Sequence, residues 1–270
     1  MTDREPLARI ADALERIAPP PPRPADATAH PAYLWHGEAL VAARAFTPLP
    51  LDLLQGLEAQ KGALHDNLER LARGVAAQDA LLWGARGTGK SALVKSIVGA
   101  LQGEGADIAL VEATGRLDTL PALFAAIAPV ERAFAVFIDD LGFDGIGEAR
   151  ALRSLLEGGA EARPVNARLI VTANRRHLVP RDIAEQESAI NPRDSIDDQL
   201  ALADRFGLSL GFHAIDQNQY LAIVEGYASR YGLDFDPVEA IGWATRRGSR
   251  SGRVAWQYVV DLAGRSGKAL

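Results

Sequence analysis

Eight consecutive residues of this sequence have the spacing of a phosphate-binding loop. They fit the pattern G-x-x-x-x-G-K-[ST] at every fixed position: Gly84, Ala85, Arg86, Gly87, Thr88, Gly89, Lys90 and Ser91. Glycines let backbone N–H groups close around phosphate oxygens, because no Cβ stands in the way. In such a loop the lysine reaches the β- and γ-phosphates, and the final hydroxyl takes a position on Mg²⁺. The pattern therefore predicts a nucleotide-binding protein.

A pair of carboxylates follows a second apolar run. Asp139 and Asp140 come directly after residues 134–138, and Asp139 lies 49 residues after Lys90. Acids at the carboxyl end of a buried strand indicate a ligand crevice, because ligands bind at that end of open α/β sheets. We expect Asp139 to hold Mg²⁺ through water, and Asp140 to orient or deprotonate the attacking water. The alternative is a simple turn that begins with Asp-Asp-Leu-Gly.

The elements that must position these residues alternate along the chain. The phosphate-binding loop lies between an apolar run at 79–83 and a helical pattern at 91–101. Further strands are predicted at 107–112, 134–138, 168–174 and 208–212, and further helices at 52–73, 117–128 and 148–156. Strands that alternate with helices imply a parallel sheet covered on both faces. The predicted fold class is therefore α/β, a five-stranded parallel αβα sandwich.

Both ends of the chain differ from this central pattern. Residues 1–18 place Leu7, Ile10, Leu14 and Ile17 on one helical face, and five prolines in the six residues 19–24 predict a stiff, extended spacer. That helix could dock on a partner or a neighbouring subunit, or pack back on its own domain. Helical patterns at 216–230, 237–246 and 252–264 predict a small helical lid. We therefore divide the chain into 1–46 (helix, linker and packing segment), 47–214 (nucleotide-binding domain) and 215–270 (lid).

Composition narrows the classes of protein. The 270 residues are 48% hydrophobic and include no cysteine, so disulfides and thiolate metal sites are excluded. No apolar run approaches the length of a membrane span and no signal peptide is visible, so a cytoplasmic protein without membrane contact is expected. A net charge of −6 argues against a general nucleic-acid surface, although residues 246–270 carry six basic residues and one acid. That tail is either a solvated helical face or a contact for nucleic acid or an acidic partner.

In their order along the chain, these motifs resemble the AAA+ superfamily of P-loop ATPases. The resemblance rests on the phosphate-binding loop (Walker A), the strand ending at Asp139 and Asp140 (Walker B), Asn174 at a strand end, and Arg205 and Arg253 further on. It implies that Asn174 is sensor 1, touching the γ-phosphate and the lytic water. It also implies that Arg205 is an arginine finger for a neighbouring subunit and that Arg253 is sensor 2 in the lid. Residues 56–61 resemble the box that lines the adenine pocket.

The resemblance covers residues 47–265 and is strongest to a bacterial group of AAA ATPases whose biological role is unassigned. It implies ATP and Mg²⁺ as cofactors, a homo-oligomer with Arg205 acting in trans, and ATP hydrolysis that remodels or loads a partner. The usual Walker B ending is Asp-Glu, whereas this chain has Asp139-Asp140, which leaves the hydrolysis rate open. Asp-Asp-Leu-Gly also occurs in the branch of replication initiators and of helicase and transposase loaders.

Two alternatives to a remodelling enzyme therefore stay open. One is a slow-turnover module that binds a protein under control of ATP, and the other is a DNA-associated loader that uses the basic tail. The sequence names no protein client.

Overall fold

A computed structural model describes residues 4–17, 24–114, 117–141, 152, 155–156, 163–174 and 205–270. The strands are β1 (Ala32–Trp35), β2 (Leu40–Ala42), β3 (Ala80–Gly84), β4 (Ile108–Ala113), β5 (Ala133–Ile138), β6 (Ala167–Asn174) and β7 (Leu208–Phe212). The helices are α1 (Arg4–Ile17), α2 (Glu58–Ala72), α3 (Lys90–Gly103), α4 (Leu120–Ile127), α5 (Gln217–Arg230), α6 (Pro237–Arg246) and α7 (Gly252–Arg265).

The strands form one sheet in the order β2-β1-β4-β5-β6-β3-β7. Every neighbouring pair is parallel except β1 and β2, which run antiparallel. One face of the sheet packs against α4, and the other packs against α2 and α3, so each face has its own apolar core. The central strand β5 is buried along its whole length, as expected for a parallel strand covered on both faces.

The predicted α/β fold class is confirmed, and the five predicted strands are all present. The sheet is nevertheless wider than predicted, because β1 and β2 extend it from five strands to seven. Both strands lie within the predicted packing segment that follows the proline linker. Strands of four and three residues are too short to show a clear alternation in the sequence, so the pairing of β1 with β4, and of β2 with β1, decides their conformation.

The helix predicted over 52–73 begins later than expected. Residues Leu51–Leu53 form a short 3₁₀ turn, and α2 begins only at Glu58. Gly56 interrupts the helical pattern with a φ of +73°, a conformation that glycine adopts at little cost. The predicted helix at 148–156 lies largely outside the described residues.

The three helices of the predicted lid are present close to their predicted bounds. Asp216, Asp236 and Ser251 each accept a hydrogen bond from a backbone N–H in the first turn of α5, α6 and α7, respectively. Their apolar sides form a separate core around Tyr220 and Tyr258. Burial and the hydrogen bond that its hydroxyl donates to Glu239 raise the pKa of Tyr258 to about 12.

The amino-terminal part of the body is fixed by specific hydrogen bonds. Arg132 donates to the carbonyl oxygens of Ala27 and His30, and the Tyr33 hydroxyl donates to the carbonyl oxygen of Asp26. In α1, by contrast, the side chains of Ile10 and Leu14 are more than half exposed. None of the helices in the described part of the chain combines the length and apolar character that crossing a membrane needs.

Deleting residues 1–24 is expected to leave the melting temperature of the body within about 2 °C of the full chain, because Ile10 and Leu14 bury little surface in the isolated chain. Affinity for nucleotide should also stay unchanged, whereas binding to partner chains should weaken. Differential scanning fluorimetry and a nucleotide titration measure the first two quantities. A fall of about 8 °C or more would show that α1 belongs to the core.

Candidate nucleotide-binding site at the carboxyl edge of the sheet

The predicted phosphate-binding loop connects the end of β3 to the start of α3, as expected. Gly84 has a φ of +142°, and a Cβ on it would lie 2.0 Å from the carbonyl oxygen of Phe212. Gly89 precedes α3 with a φ of +93°. The loop between them is closed internally by Thr88, whose hydroxyl donates to the Ala85 carbonyl oxygen at 2.9 Å. Glycine is therefore required at Gly84 both by the backbone conformation and by the approach of β7.

Lys90 is the most buried cation of the site. Its ammonium donates to the carbonyl oxygens of Gly84 at 3.0 Å and Ala85 at 2.7 Å, so it is held inside the loop. Burial lowers the pKa of Lys90, and the nearby charge of Arg86 lowers it further, while the carboxylates of Asp140 and Asp139 act in the opposite direction. An anion bound in the loop would supply countercharge at this position.

Asp139 lies against the end of the loop. One of its carboxylate oxygens accepts hydrogen bonds from the hydroxyls of Ser91 and Thr172, both at 2.6 Å. The oxygens of Ser91 and Asp139 thus meet at one point of the carboxyl edge. Mg²⁺ takes oxygen ligands and is commonly bound by one or two carboxylates together with water and substrate phosphates. The donor set at this point fits Mg²⁺.

Asp140 has a strained backbone, with a φ of +50°, the only positive φ of a non-glycine residue in the described ranges. Its N–H donates to the hydroxyl of Thr172 at 2.7 Å. Its carboxylate accepts from the amide of Asn174 and lies 3.4 Å from the guanidinium of Arg86. The side chains of Asp140 and Arg86 are 59% and 80% exposed, so this ion pair is weak and easily exchanged.

Sequence reasoning missed Thr172. This residue is almost fully buried in β6, directly beside Leu82 of β3, and its hydroxyl links the two aspartates. Thr172 and Asn174 are two residues apart on one strand and therefore face the same side of the sheet. A hydroxyl in an otherwise apolar strand, two residues before a predicted site residue, was the signal that could have found it.

The lid reaches the loop directly. The N–H of Gly252, at the start of α7, donates to the Gly87 carbonyl oxygen at 3.2 Å. A cavity of about 380 Å³ opens between them. Lys90, Ser91 and Arg253 line its polar part, whereas Leu49, Leu54, Ala92, Tyr227 and Trp256 line its apolar part. The structure therefore places Arg253 in the same cavity as residues of the phosphate-binding loop.

The apolar part of the cavity is suited to a flat ring. The rings of Tyr227 and Trp256 meet edge to face, with centroids 5.2 Å apart. Leu49 and Leu54 come from the stretch just before residues 56–61, which the sequence had pointed to for the adenine pocket. An aromatic base would bury its faces against these side chains.

Arg205 lies near the amino-terminal ends of the strands, whereas the phosphate-binding loop lies at their carboxyl ends. It precedes β7, whose first residue pairs with Ala80 and whose last residue pairs with Gly84. Four residues of β3, roughly 13 Å, therefore separate the level of Leu208 from the loop. The structure does not bring Arg205 to the loop of its own chain. Residues 175–204, between Asn174 and Arg205, lie outside the described residues.

Two of the basic residues of the tail have partners within the lid. Arg265 forms ion pairs with Glu239 at 2.9 Å and with Asp261 at 3.0 Å. The guanidinium of Arg247 stacks on the ring of Trp243 at 3.7 Å. These contacts favour a structural role for part of the positive charge at 246–270.

Comparisons with known proteins bear on the family and the fold of the chain. Residues 28–266 match the model of the family described as "Protein of unknown function (DUF815)". A search of curated proteins gave no match.

Among solved structures, the RuvB Holliday junction branch migration motor of Thermotoga maritima is 21% identical. The TM-score is 0.51, over 82% of this chain and 67% of RuvB. The ORC2 protein of Aeropyrum pernix, in ADPNP–ADP complexes, is 18% identical with a TM-score of 0.55, over 84% of this chain and 66% of ORC2. The Aeropyrum pernix ORC1 protein, solved in complex with DNA, is 17% identical with a TM-score of 0.52, over 81% of this chain and 61% of ORC1. These proteins are AAA+ ATPases, so the resemblance to that superfamily is confirmed for the fold.

Proposed function

The chain belongs to the DUF815 family, and from its site we propose that it binds ATP with Mg²⁺ and hydrolyses it at subunit interfaces to remodel or load a partner macromolecule. One observation carries this proposal: Ser91 at the end of the phosphate-binding loop and Asp139 at the end of β5 meet at 2.6 Å. A loop that binds phosphate and a carboxylate that can hold Mg²⁺ therefore share one point. The AAA+ fold supports the same function.

Each side chain of the site has a role in this proposal. Lys90 binds the β- and γ-phosphates, and Ser91 and Asp139 hold Mg²⁺, which neutralises charge on the phosphates during transfer. Asp140 orients the attacking water and accepts its proton. Asn174, which donates to Asp140, helps position that water.

Two arginines complete the proposed site. Arg253 approaches the phosphates from the lid, as its position in the cavity suggests. Arg205 serves the nucleotide of a neighbouring subunit.

The division into 1–46, 47–214 and 215–270 and the cytoplasmic location stay predictions.

The backbone of Asp140 favours this assignment of the base. Strained conformations cluster at functional sites, because the surrounding structure must hold them in place. Thr172 provides that support by accepting from the Asp140 N–H while donating to Asp139. One hydroxyl thus holds the carboxylate of Asp139 and the backbone of Asp140 in a fixed relation.

Two alternative functions have an observation in their favour. Asp140 is one methylene shorter than the glutamate usual at this position, which favours a module that binds ATP and turns over slowly. The ORC1 structure contains DNA, and the basic residues at 246–270 could serve a DNA-associated loader. Turnover numbers test the first alternative. The second predicts DNA affinity that falls steeply with salt.

The proposed function is tested by exchanging the two aspartates separately. Asp140→Asn should keep ATP affinity but lower kcat by roughly 100-fold or more, the range typical of losing a general base. Asp139→Asn should instead raise the Mg²⁺ concentration needed for activity. Phosphate release measures kcat, and a fluorescent nucleotide measures binding separately.

Glu112→Gln is the matched control for this experiment. Glu112 lies near the carboxyl end of β4, at the same edge of the sheet, but forms an ion pair with Lys95 at 2.9 Å. The Glu112→Gln variant should therefore keep most of the activity. A wild-type rate in Asp140→Asn together with a loss in Glu112→Gln would move the role of the base to Glu112.

A further inference from the structure

Within the part of the chain that the structure describes, one part of the sheet lacks the layer of helix that covers the rest. On the face where α2 and α3 pack, β1 and β2 are bordered instead by residues 43–48. A groove of about 580 Å³ lies there, between this segment, the two strands and α3. Leu34 and Val41, which are cross-strand partners in its floor, are only half-buried. A sheet face with exposed apolar pairs is a surface that still requires a packing partner.

The described residues also include a helix whose apolar side chains have no packing surface among them. In α1 the side chains of Ile10 and Leu14 are 55% and 59% exposed. With Leu7 and Ile17 they continue an apolar stripe at intervals of three and four residues. An isolated helix of 14 residues is marginal in water, so its stability must come from packing of that stripe. Ala11 and Ala13 flank the stripe, and such small side chains allow a close approach to a groove.

The direction in which the chain leaves the body before Ala25 indicates whether α1 packs into the groove of its own chain or into that of another copy. The N–H of Ala25 donates to the Leu40 carbonyl oxygen, and Ala25 and Ala27 pack on the core of the opposite face of the sheet. The linker that precedes them has five prolines in the six residues 19–24. Such a linker extends at about 3.1 Å per residue and stays stiff over several residues. It is unsuited to turning back around the edge strand β2.

We propose that the apolar stripe of α1 packs into the β1–β2 groove of a neighbouring copy of this chain. This assignment deepens the self-association in the proposed function, but it needs neither nucleotide nor Arg205. It also places the neighbour's helix close to the nucleotide site. Lys95, which lines the groove, lies one helical turn after Ser91 on α3. The groove and the phosphate-binding loop thus share one helix.

The absence of cysteine from the sequence allows a direct test in the full chain without nucleotide. One variant carries Ala11→Cys beside the stripe of α1, and a second carries Thr47→Cys at the rim of the groove. Because each chain has a single thiol, a disulfide between the two variants can form only between different copies. Under mild oxidation we expect this heterodisulfide, identified by mass, to form roughly ten times faster than in a control pair of Asp12→Cys with Thr47→Cys.

A second pair of changes tests the groove itself. Leu14→Glu added to the Ala11→Cys chain, or Val41→Glu added to the Thr47→Cys chain, should reduce the heterodisulfide to the control rate. Unchanged melting curves would show that both chains remain folded. The proposal is overturned if the heterodisulfide forms no faster than the control, or if Ala11→Cys chains link mainly to each other. It is also overturned if a chain with both cysteines closes on itself instead. None of these outcomes would contradict the proposed ATPase function, which is tested separately by the aspartate variants.

Discussion

Lys90→Ala should lower the affinity for ATP by roughly 30- to 1000-fold, the loss expected when one partner of a buried charge pair is removed. The ammonium is buried inside the loop and is held by two carbonyl oxygens, so it is fixed at the position where a phosphate would bind. Isothermal titration or a fluorescent nucleotide measures this affinity. ATP affinity equal to that of the parent would refute the assignment of the phosphate-binding loop.

The same substitution should change the stability of the free protein little, by about 1 kcal/mol. Burial lowers the pKa of Lys90, so the charged lysine reduces the free energy of unfolding at neutral pH, where the unfolded chain also binds the proton. That cost disappears only as the pH rises toward the unfolded value. Removing the ammonium therefore loses two hydrogen bonds but also relieves the cost of a buried charge.

Lys95→Ala is the matched control for Lys90→Ala. Lys95 lies on the same helix, and its ammonium is paired with Glu112 at 2.9 Å. This variant should keep the affinity for ATP of the parent protein. A similar loss in both variants would indicate damage to α3 rather than a missing phosphate contact.

Arg205→Ala should abolish most ATPase activity, and a mixture with Lys90→Ala should restore part of it. An arginine finger contributes roughly 10³- to 10⁵-fold in the GTPases where it is understood. In the mixture the Arg205→Ala subunit binds ATP, and a neighbouring Lys90→Ala subunit supplies Arg205. If the subunits mix at random in equal amounts, about one interface in four carries this combination. Phosphate release at several mixing ratios measures the recovery.

The control for this experiment is a mixture of Arg205→Ala with the double variant Lys90→Ala and Arg205→Ala. It offers no finger at any interface and should stay inactive. Activity per subunit of the parent protein should also rise with protein concentration. Activity that is independent of concentration, together with no recovery in the first mixture, would show that Arg205 does not act on a neighbour.

The sequence was informative where a pattern is local. The phosphate-binding loop, the strand before Asp139 and the three lid helices follow from spacing, apolar runs and capping residues within a few positions. These features depend on neighbouring residues in the chain, so the strands and helices that form them begin and end within one or two residues of their predicted bounds. The late start of α2 has a similarly local cause, the positive φ of Gly56. A glycine in a helical pattern does not by itself indicate that the helix begins after it.

The sequence was less informative where distant residues decide the structure. Whether β1 becomes a strand depends on hydrogen bonds to β4, some 70 residues later, and β2 in turn depends on β1. The position of Thr172 between the two aspartates depends on the order of strands in the sheet. The contact between Gly252 and Gly87 joins two segments that are separated by most of the nucleotide-binding domain. Such contacts are set by tertiary packing and carry no local signature.

The order of the strands also has a consequence for folding during synthesis on the ribosome. In the sheet, β3 is paired only with β6 and β7, both of which come much later in the chain. From Gly84 to Asn174 there are 90 residues, so at about 5 to 20 residues per second the ribosome needs roughly 4 to 18 s to supply the first partner of β3. During that interval β1, β2, β4 and β5 can already pair with one another. The phosphate-binding loop meanwhile follows β3, which has no partner strand yet. The phosphate-binding loop therefore takes its place in the sheet only after β6 has been synthesised, and until then β5 has an unpaired edge on which another chain could pair.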